Sequence, residues 1–382
     1  MKRTPALPLL IFSGAALLGA CAKKNVPDLT IGVIAELSGE IPAVGTSCKN
    51  AAEMAVAEIN DAGGVTVAGK AHGLKLVIED SKGVATEAPE AVKRLAKEDN
   101  VYAIVGPNAS LGAVPASRVA EDAKVPMISP WSTNPKTTAG KTWVFRACFT
   151  DAFEGHVLAK FATGYLHATK AAVLYDPGSE APKSQAELFR KDFEEAGGKI
   201  VAVETYKTAE KDFAAPLGRI KAASPDLVFL PSYYNEVPLQ LQQAHKLGLE
   251  VPFLGSDNWS SPELIKLSGP DAEGASYCNH YSPEARVEAV AKFVTQYKSK
   301  YHETPDDVAA LTYDSFQLLA KALSTSVRLD RASLRDALAK VREFEGVTGK
   351  MTFKEGSGDP VKSAVMMRVE GGKPVFLTNI DP

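Results

Sequence analysis

Cysteine is scarce in this chain, four among 382 residues, and no CxxC pair occurs, which excludes a disulfide-stapled scaffold and a zinc ribbon. No internal stretch approaches the roughly 20 apolar residues that a membrane-spanning helix needs, so a many-span membrane protein is excluded. Basic residues are not in excess. Lys and Arg number 43 against 46 Asp and Glu, a net charge of -3 at pH 7, and no nucleic-acid surface is advertised. GxSxG, HExxH, GxxxxGK[ST] and GxGxxG are all absent, and the six histidines (72, 156, 167, 245, 280 and 302) include no i,i+4 pair. Nucleophilic, metal-assisted and nucleotide chemistry therefore lack support. The histidines read as surface or packing residues, and no catalytic residue, metal or cofactor is expected.

What is present is a globular composition, 45% apolar and 23% charged with 29 Gly and 24 Pro, outside the range of collagen, coiled coil or disorder. The length suits two domains, each able to bury a core. Residues 1–20 read as a signal peptide: Lys2 and Arg3 precede an interrupted apolar run, Leu7 to Leu18, and then small residues. Its removal takes two basic residues and no acid, moving the charge from -3 to -5. Residues 21–29 read as a polar tether. Cys48, Cys148 and Cys278 remain, an odd number that leaves at least one thiol free within the chain.

Apolar runs then alternate with amphipathic stretches. Leu29–Ala35 is a β-branched run suited to a strand buried on both faces. Helical spacing over Ser47–Asp61 ends in Ala62-Gly63-Gly64. Further strands are expected at 74–79, 101–105, 125–129 and 143–146, with helices near 86–99 and 110–123 between them. The rhythm restarts at Ala171–Tyr175, with a helix over 184–195, strands at 200–205, 227–230 and 252–254, and a helix near 236–246. Three helical patterns follow at 283–300, 306–324 and 332–341, then 349–353 and a hairpin over 365–377. Such alternation predicts an α/β fold with two doubly wound, Rossmann-like parallel sheets. The late helices return to finish the first lobe.

In open parallel sheets ligands sit outside the carboxyl ends of the strands. Ser110 follows such an end in Gly106-Pro107-Asn108-Ala109-Ser110. It reads either as a donor to an anion at a helix N-terminus or as a plain N-cap. Pro130-Trp131-Ser132-Thr133-Asn134-Pro135 reads as a binding loop or as a capping turn around a buried Trp. In the second lobe Tyr233 follows one strand, and Asp257 follows another as a site acid or as a cap for a helix at 261–268. Anion donors facing a carboxylate and aromatics suit a zwitterion.

The chain resembles the type I periplasmic solute-binding proteins of the leucine/isoleucine/valine-binding family, which serve ABC importers. The resemblance is carried by AELSG at 35–39, Gly45 leading into AVAEINDAGG at 55–64, IVGPNAS at 104–110 and PMISPWSTNP at 126–135. FRACFTDAFEG at 145–155, KDFAAPLGR at 211–219 and FLGSD at 253–257 extend it. It implies two lobes joined by a three-crossover hinge, lobe 1 from 30–150 plus about 281–349 and lobe 2 from 151–280 plus about 350–382. It also implies that Ser110, Trp131, Ser132 and Thr133 grip an α-amino acid from lobe 1, and Tyr233 and Asp257 from lobe 2. Val44, Glu180 and Asn108 line the pocket more weakly. Val44 and Glu180 fall where branched-chain binders carry tyrosines, so leucine is not assumed. Glu180 reads as a solvated helix-start acid or as a contact to a polar or cationic ligand side chain.

The ending Leu18-Gly19-Ala20-Cys21 resembles the bacterial lipobox and implies a lipidated Cys21. The chain is then an exported, monomeric lipoprotein at the membrane that delivers an amino acid to an ABC permease. The alternative is a sensor for an amino acid, amide or small carboxylate that signals rather than transports. Crossovers near Cys148 and Cys278 leave open a disulfide between them.

Overall fold

The computed structural model describes Met1 and residues 28–382. The signal segment, Cys21 and nearly all of the 21–29 tether lie outside the described residues. A five-stranded parallel sheet takes the spatial order Leu74–Asp80, Leu29–Ala35, Ala103–Val105, Met127–Ser129, Val144–Arg146. A seven-stranded sheet follows the same plan with Lys199–Thr205, Lys170–Tyr175, Leu227–Leu230, Phe253–Gly255 and Ser276–Asn279, all parallel. Ala364–Glu370 and Lys373–Ile380 extend that sheet as an antiparallel hairpin. In each sheet the first strand lies between the second and the third, so the connections leave it in opposite directions. That reversal opens a crevice at the carboxyl ends of the first and third strands.

Helices cover both faces of both sheets. Pro42–Asp61 buries Cys48, Ala52, Ala55 and Ile59 on one face of the first sheet, and Glu87–Lys97 with Ser110–Ala123 covers the other. On the second sheet Asp151–Gly164 and Glu180–Glu195 share one face, while Ala214–Ala222 and Val237–Lys246 take the opposite one. Neither Asp151–Gly164 nor Ala214–Ala222 was expected from the sequence. Asp151–Gly164 buries Asp151 and Glu154 on the same face as Val157, Leu158, Phe161 and Ala162, so its apolar 3.6-residue stripe is broken by acids and is not legible. Pro42–Asp61 begins five residues before the expected start. Pro42 supplies the first turn, where its missing N–H costs nothing.

The late helices Glu288–Tyr301 and Asp307–Thr325 pack on Pro42–Asp61. Ser47 Oγ donates to Asp306 Oδ2 at 2.6 Å, Tyr313 OH to Glu58 Oε2 at 2.6 Å and Tyr301 OH to the Asn50 carbonyl at 2.6 Å. The chain passes between the two sheets after Val144–Arg146, after Ser276–Asn279 and through a small sheet built of Phe344–Gly346, Gly349–Phe353 and Pro360–Val361. One continuous apolar cluster, from Ile31 and Val33 through Trp131 and Tyr233 to Leu230 and Phe253, runs beneath both halves. Among the described residues no helix is long and apolar enough to cross a membrane.

The disulfide left open between Cys148 and Cys278 is not made. All three described cysteines are free and buried. Cys148 Sγ donates to the Ser132 carbonyl at 3.3 Å, and Cys278 faces Met366 across the antiparallel ladder. Burial pushes both thiols up and the Cys48 thiol up to about 12, which makes them inert. A thiol-reagent titration of the chain from residue 28 onward should find three thiols after unfolding without reductant and almost none before it. A single thiol after unfolding would mean that a bond had formed.

Candidate functional site

Four strand ends meet at the crevice. After Ala103–Val105 the chain turns at Gly106, whose φ of +98° and approach to the Ile34 carbonyl, 2.1 Å from where a Cβ would stand, exclude any side chain. Ser110 then opens a helix whose N-cap position is Ala109, so Ser110 is not the cap. Its Oγ lies 2.9 Å from Ser132 Oγ, which lies 2.7 Å from Thr137 Oγ1. This file of three hydroxyls sits at a helix N-terminus, where free N–H groups favour an anion. Asn108 is committed elsewhere: its backbone N and Nδ2 donate to Glu36 at 3.0 and 2.8 Å, and Ala109 N adds a third bond at 3.0 Å. Burial raises the Glu36 carboxyl against those bonds.

Arg146, at 0% exposure, holds the Trp131–Asn134 loop in place. Its Nη1 donates to the Ser132 carbonyl at 2.5 Å, and Nη2 to the Asn134 carbonyl at 2.9 Å and Thr138 Oγ1 at 2.7 Å. Its Nε pairs with Asp359 Oδ1 at 2.6 Å. Thr133 gives its carbonyl to Asp151 N at 2.9 Å, and Trp131 Nε1 donates to Asp307 Oδ2 at 2.9 Å. The buried Trp of the capping-turn reading is thus tied to a carboxylate.

From the second sheet come Tyr233 and Asp257. The Tyr233 ring lies 6.1 Å from the Trp131 ring, tilted by 46°, and Val44 is buried in the same apolar cluster. The helix Pro262–Ser268 is capped by Ser261, so Asp257 is free of that duty. Its Oδ1 accepts from Gln185 Nε2 at 2.8 Å, its Oδ2 lies 3.0 Å from His280 Nε2, and its backbone N donates to Glu154 Oε1 at 2.8 Å. Gln185 also bonds Glu154 and, through Oε1, Asn258. His280 reads in the sequence as a surface or packing residue; the structure buries it against Asp257. Glu180 opens the helix Glu180–Glu195. At 37% side-chain exposure it pairs with Lys136 at 3.0 Å, so a cation from the first half already meets it. Asn134 Nδ2 to the Glu180 carbonyl and Asn235 Nδ2 to the Glu40 carbonyl add two more bonds between the halves.

Asp151, Glu154, Asp257, His280 and Asp307 are all buried, at 1% exposure or less. Burial lifts Asp151 and Asp257 to about 7 and raises Glu154 and Asp307 well above the usual carboxylate range. Burial also depresses His280, favouring its neutral form, with Nε2 3.0 Å from Asp257 Oδ2. One donor atom each from Asp257, His280 and Asp307 lies within 4.8 Å of the others, the proximity a metal ion needs. A cleft of about 470 Å³ lined by Tyr277, Tyr281, Pro305 and Asp306 lies elsewhere, against the late helices rather than at the Ser110–Asp257 crevice.

The profile of the periplasmic binding protein family matches residues 28–373. This chain belongs to that family. It is 28% identical over 358 residues to the Leu/Ile/Val-binding protein homolog 3 of Brucella melitensis, covering 93% of this chain and 95% of that one. The leucine-binding protein LivK of Thermotoga maritima is 33% identical with a TM-score of 0.87, over 93% of this chain and 99% of that chain. The branched-chain amino acid substrate-binding protein LivJ of Streptococcus pneumoniae, solved in complex with isoleucine, is 32% identical with a TM-score of 0.86. It matches over 93% of this chain and 100% of its own. The fold is that of type I periplasmic binding proteins, which are exported solute-binding components of ABC transporters and not enzymes.

Two outcomes follow for this binding protein. Arg146→Ala strands the Ser132 and Asn134 carbonyls and frees the Asp359 carboxylate. Asp359 is 35% exposed and is rehydrated, so the cost lies in the two carbonyls, at about 1–3 kcal/mol each, and the melting temperature should fall by about 3–8 °C; a change within about 1 °C would show that the loop holds without the guanidinium. The raised acids set the pH dependence. An acid whose folded pKa lies above its unfolded value stabilises fully below the unfolded value of 3.8, and that contribution is lost as pH rises through about 7. His280 has the opposite sign but acts only below about 6.5. The ligand-free protein should therefore melt lower at about pH 8 than at about pH 6.5, and a rise over that interval would contradict the buried carboxyl cluster.

Proposed function

We propose that this chain is the lipid-anchored receptor of an ABC importer, capturing an α-amino acid between two lobes and handing it to the membrane permease. The observation that carries this reading is the convergence of the two halves. Trp131, one residue from the Ser110–Ser132–Thr137 hydroxyls, touches both Tyr233 and Asp307, and Asp307 lies within 4.8 Å of Asp257. In this reading Ser110, Ser132 and Thr133 take the ligand carboxylate at the helix N-terminus. Asp257 takes the ammonium from the other lobe, a charge-assisted bond of the strong kind. Tyr233 and Val44 close the apolar side. Asn108 acts at one remove, bracing Glu36 beneath the loop.

Residues 30–150 with about 281–349 form lobe 1, and 151–280 with about 350–382 form lobe 2, with Cys21 carrying the lipid ahead of a 21–29 tether. Because the contacts divide between lobes, only the closed form collects both sets, so ligand shifts the balance toward closure by the difference in contacts. The LivJ relative of Streptococcus pneumoniae was solved with isoleucine, which supports an amino acid as the ligand class.

The test is calorimetry with a panel of the common amino acids on ligand-stripped protein. At least one should bind, and Asp257→Asn should weaken that binding about 100-fold, or about 2.7 kcal/mol, since it leaves a buried ammonium without its counter-charge. Unchanged affinity would remove Asp257 from the site.

A further inference from the structure

The charges around the crevice narrow the kind of amino acid it takes, on the reading just given that an amino acid binds there. Asp151, Glu154, Asp257 and Asp307 bring four buried carboxyl groups to one place. The surrounding cations are committed. Arg146 is held by Asp359, two carbonyls and Thr138. Lys362 donates to the carbonyl and hydroxyl of Thr348, beside Asp314. Burial keeps His280 neutral.

Two of the four acids are left short of partners. Asp307 receives the Trp131 indole N–H on Oδ2, and its Oδ1 has no hydrogen-bond partner among the described residues. The Ser260 hydroxyl also stands beside this carboxylate and partly offsets its burial. Among the described residues neither oxygen of Asp151 has a close hydrogen-bond partner, and the Ser184 and Thr133 hydroxyls beside it offset its burial only in part. A buried carboxylate demands a donor or a cation. Burial favours the protonated form of each of the four acids in the empty protein, and a cation placed against one of them lets it ionise. A zwitterion brings one such cation, whereas an amino acid with a charged side chain brings two.

We propose that the ligand is an α-amino acid with a cationic side chain, and that Asp307 joins Asp257 as the seat of one cationic nitrogen while Asp151, beside Thr133, faces the other. The aromatic surroundings fit this chemistry. The Trp131 and Tyr233 rings stand 6.1 Å apart next to these acids, and an ammonium or guanidinium is favoured over such π faces. A divalent metal fits less well. His280 Nε2 and Asp257 Oδ2 are spent on each other at 3.0 Å rather than turned to a common point, and the indole N–H occupies one oxygen of Asp307.

The experiment is calorimetry on the ligand-stripped full-length mature protein with L-arginine, L-lysine, L-ornithine, L-citrulline, L-leucine and L-isoleucine, and separately with Ca²⁺ and Zn²⁺. At least one basic amino acid should bind tenfold or more tightly than leucine, isoleucine and the uncharged citrulline. Asp307→Asn should weaken that binding at least tenfold. Citrulline carries the test even if the variant does not fold. If leucine or isoleucine binds tightest, the amino-acid reading stands and the cationic side chain is refuted. If no amino acid binds, both fall. Tight binding of Ca²⁺ or Zn²⁺ that Asp307→Asn abolishes, with no preference for basic amino acids, also overturns the proposal.

Discussion

The arrangement of the crevice depends on one buried guanidinium. Arg146 ends the last strand of the first sheet and reaches back to the carbonyls of Ser132 and Asn134. A guanidinium taken out of water must satisfy its donors within the protein. The loop from Trp131 to Thr138 therefore wraps around it in one shape, with the Ser132 and Thr137 hydroxyls packed together. Asp359, on a segment more than 200 residues later, neutralises the charge, and Arg146 N donates to the Gly358 carbonyl. The same side chain thus fixes the binding loop and pins the third crossing between the halves to the first.

A second constraint is electrostatic. Glu36 on one strand end and Asp257 on another are both buried, but they are treated differently. Glu36 receives three N–H bonds from Asn108 and Ala109 and serves as a brace. Asp257 shares its surroundings with Glu154, Asp151 and Asp307, none of which carries a positive charge. Burying several acids together has a cost in stability, which is smaller when they keep their protons.

Much of this was legible in the sequence because it is local. The β-branched run Leu29–Ala35, the Gly-Gly helix ends and the small-residue turn before Ser110 each announce an element within a dozen residues. The loops that follow strands also named Ser110, Trp131, Ser132, Thr133, Tyr233 and Asp257, and the structure brings them to one crevice. What stayed hidden is pairing over distance: Arg146 with Asp359, Trp131 with Asp307, Asp257 with His280. A histidine at the end of a strand reads as packing until its partner is known. Asp306 and Asp307 stand side by side at the start of the expected 306–324 helix, yet Asp306 caps it by accepting from Ala309 N while Asp307 turns inward. The one available signal was charge inside apolar context, as with Asp151 and Glu154 in FTDAFEG.

The rim of the crevice has a kinetic consequence. Among the described residues its ties between the halves include the half-exposed Lys136–Glu180 pair and amide-to-carbonyl bonds from Asn134 and Asn235, with Tyr234 reaching the Ala43 backbone. Exposed pairs of this kind contribute about 0–1 kcal/mol, too little to act as a latch. On the proposed function, the residence time of a bound ligand is governed by its own contacts in the interior, and a docking partner that pries the rim apart meets little resistance. Unloading can be fast even when capture is tight.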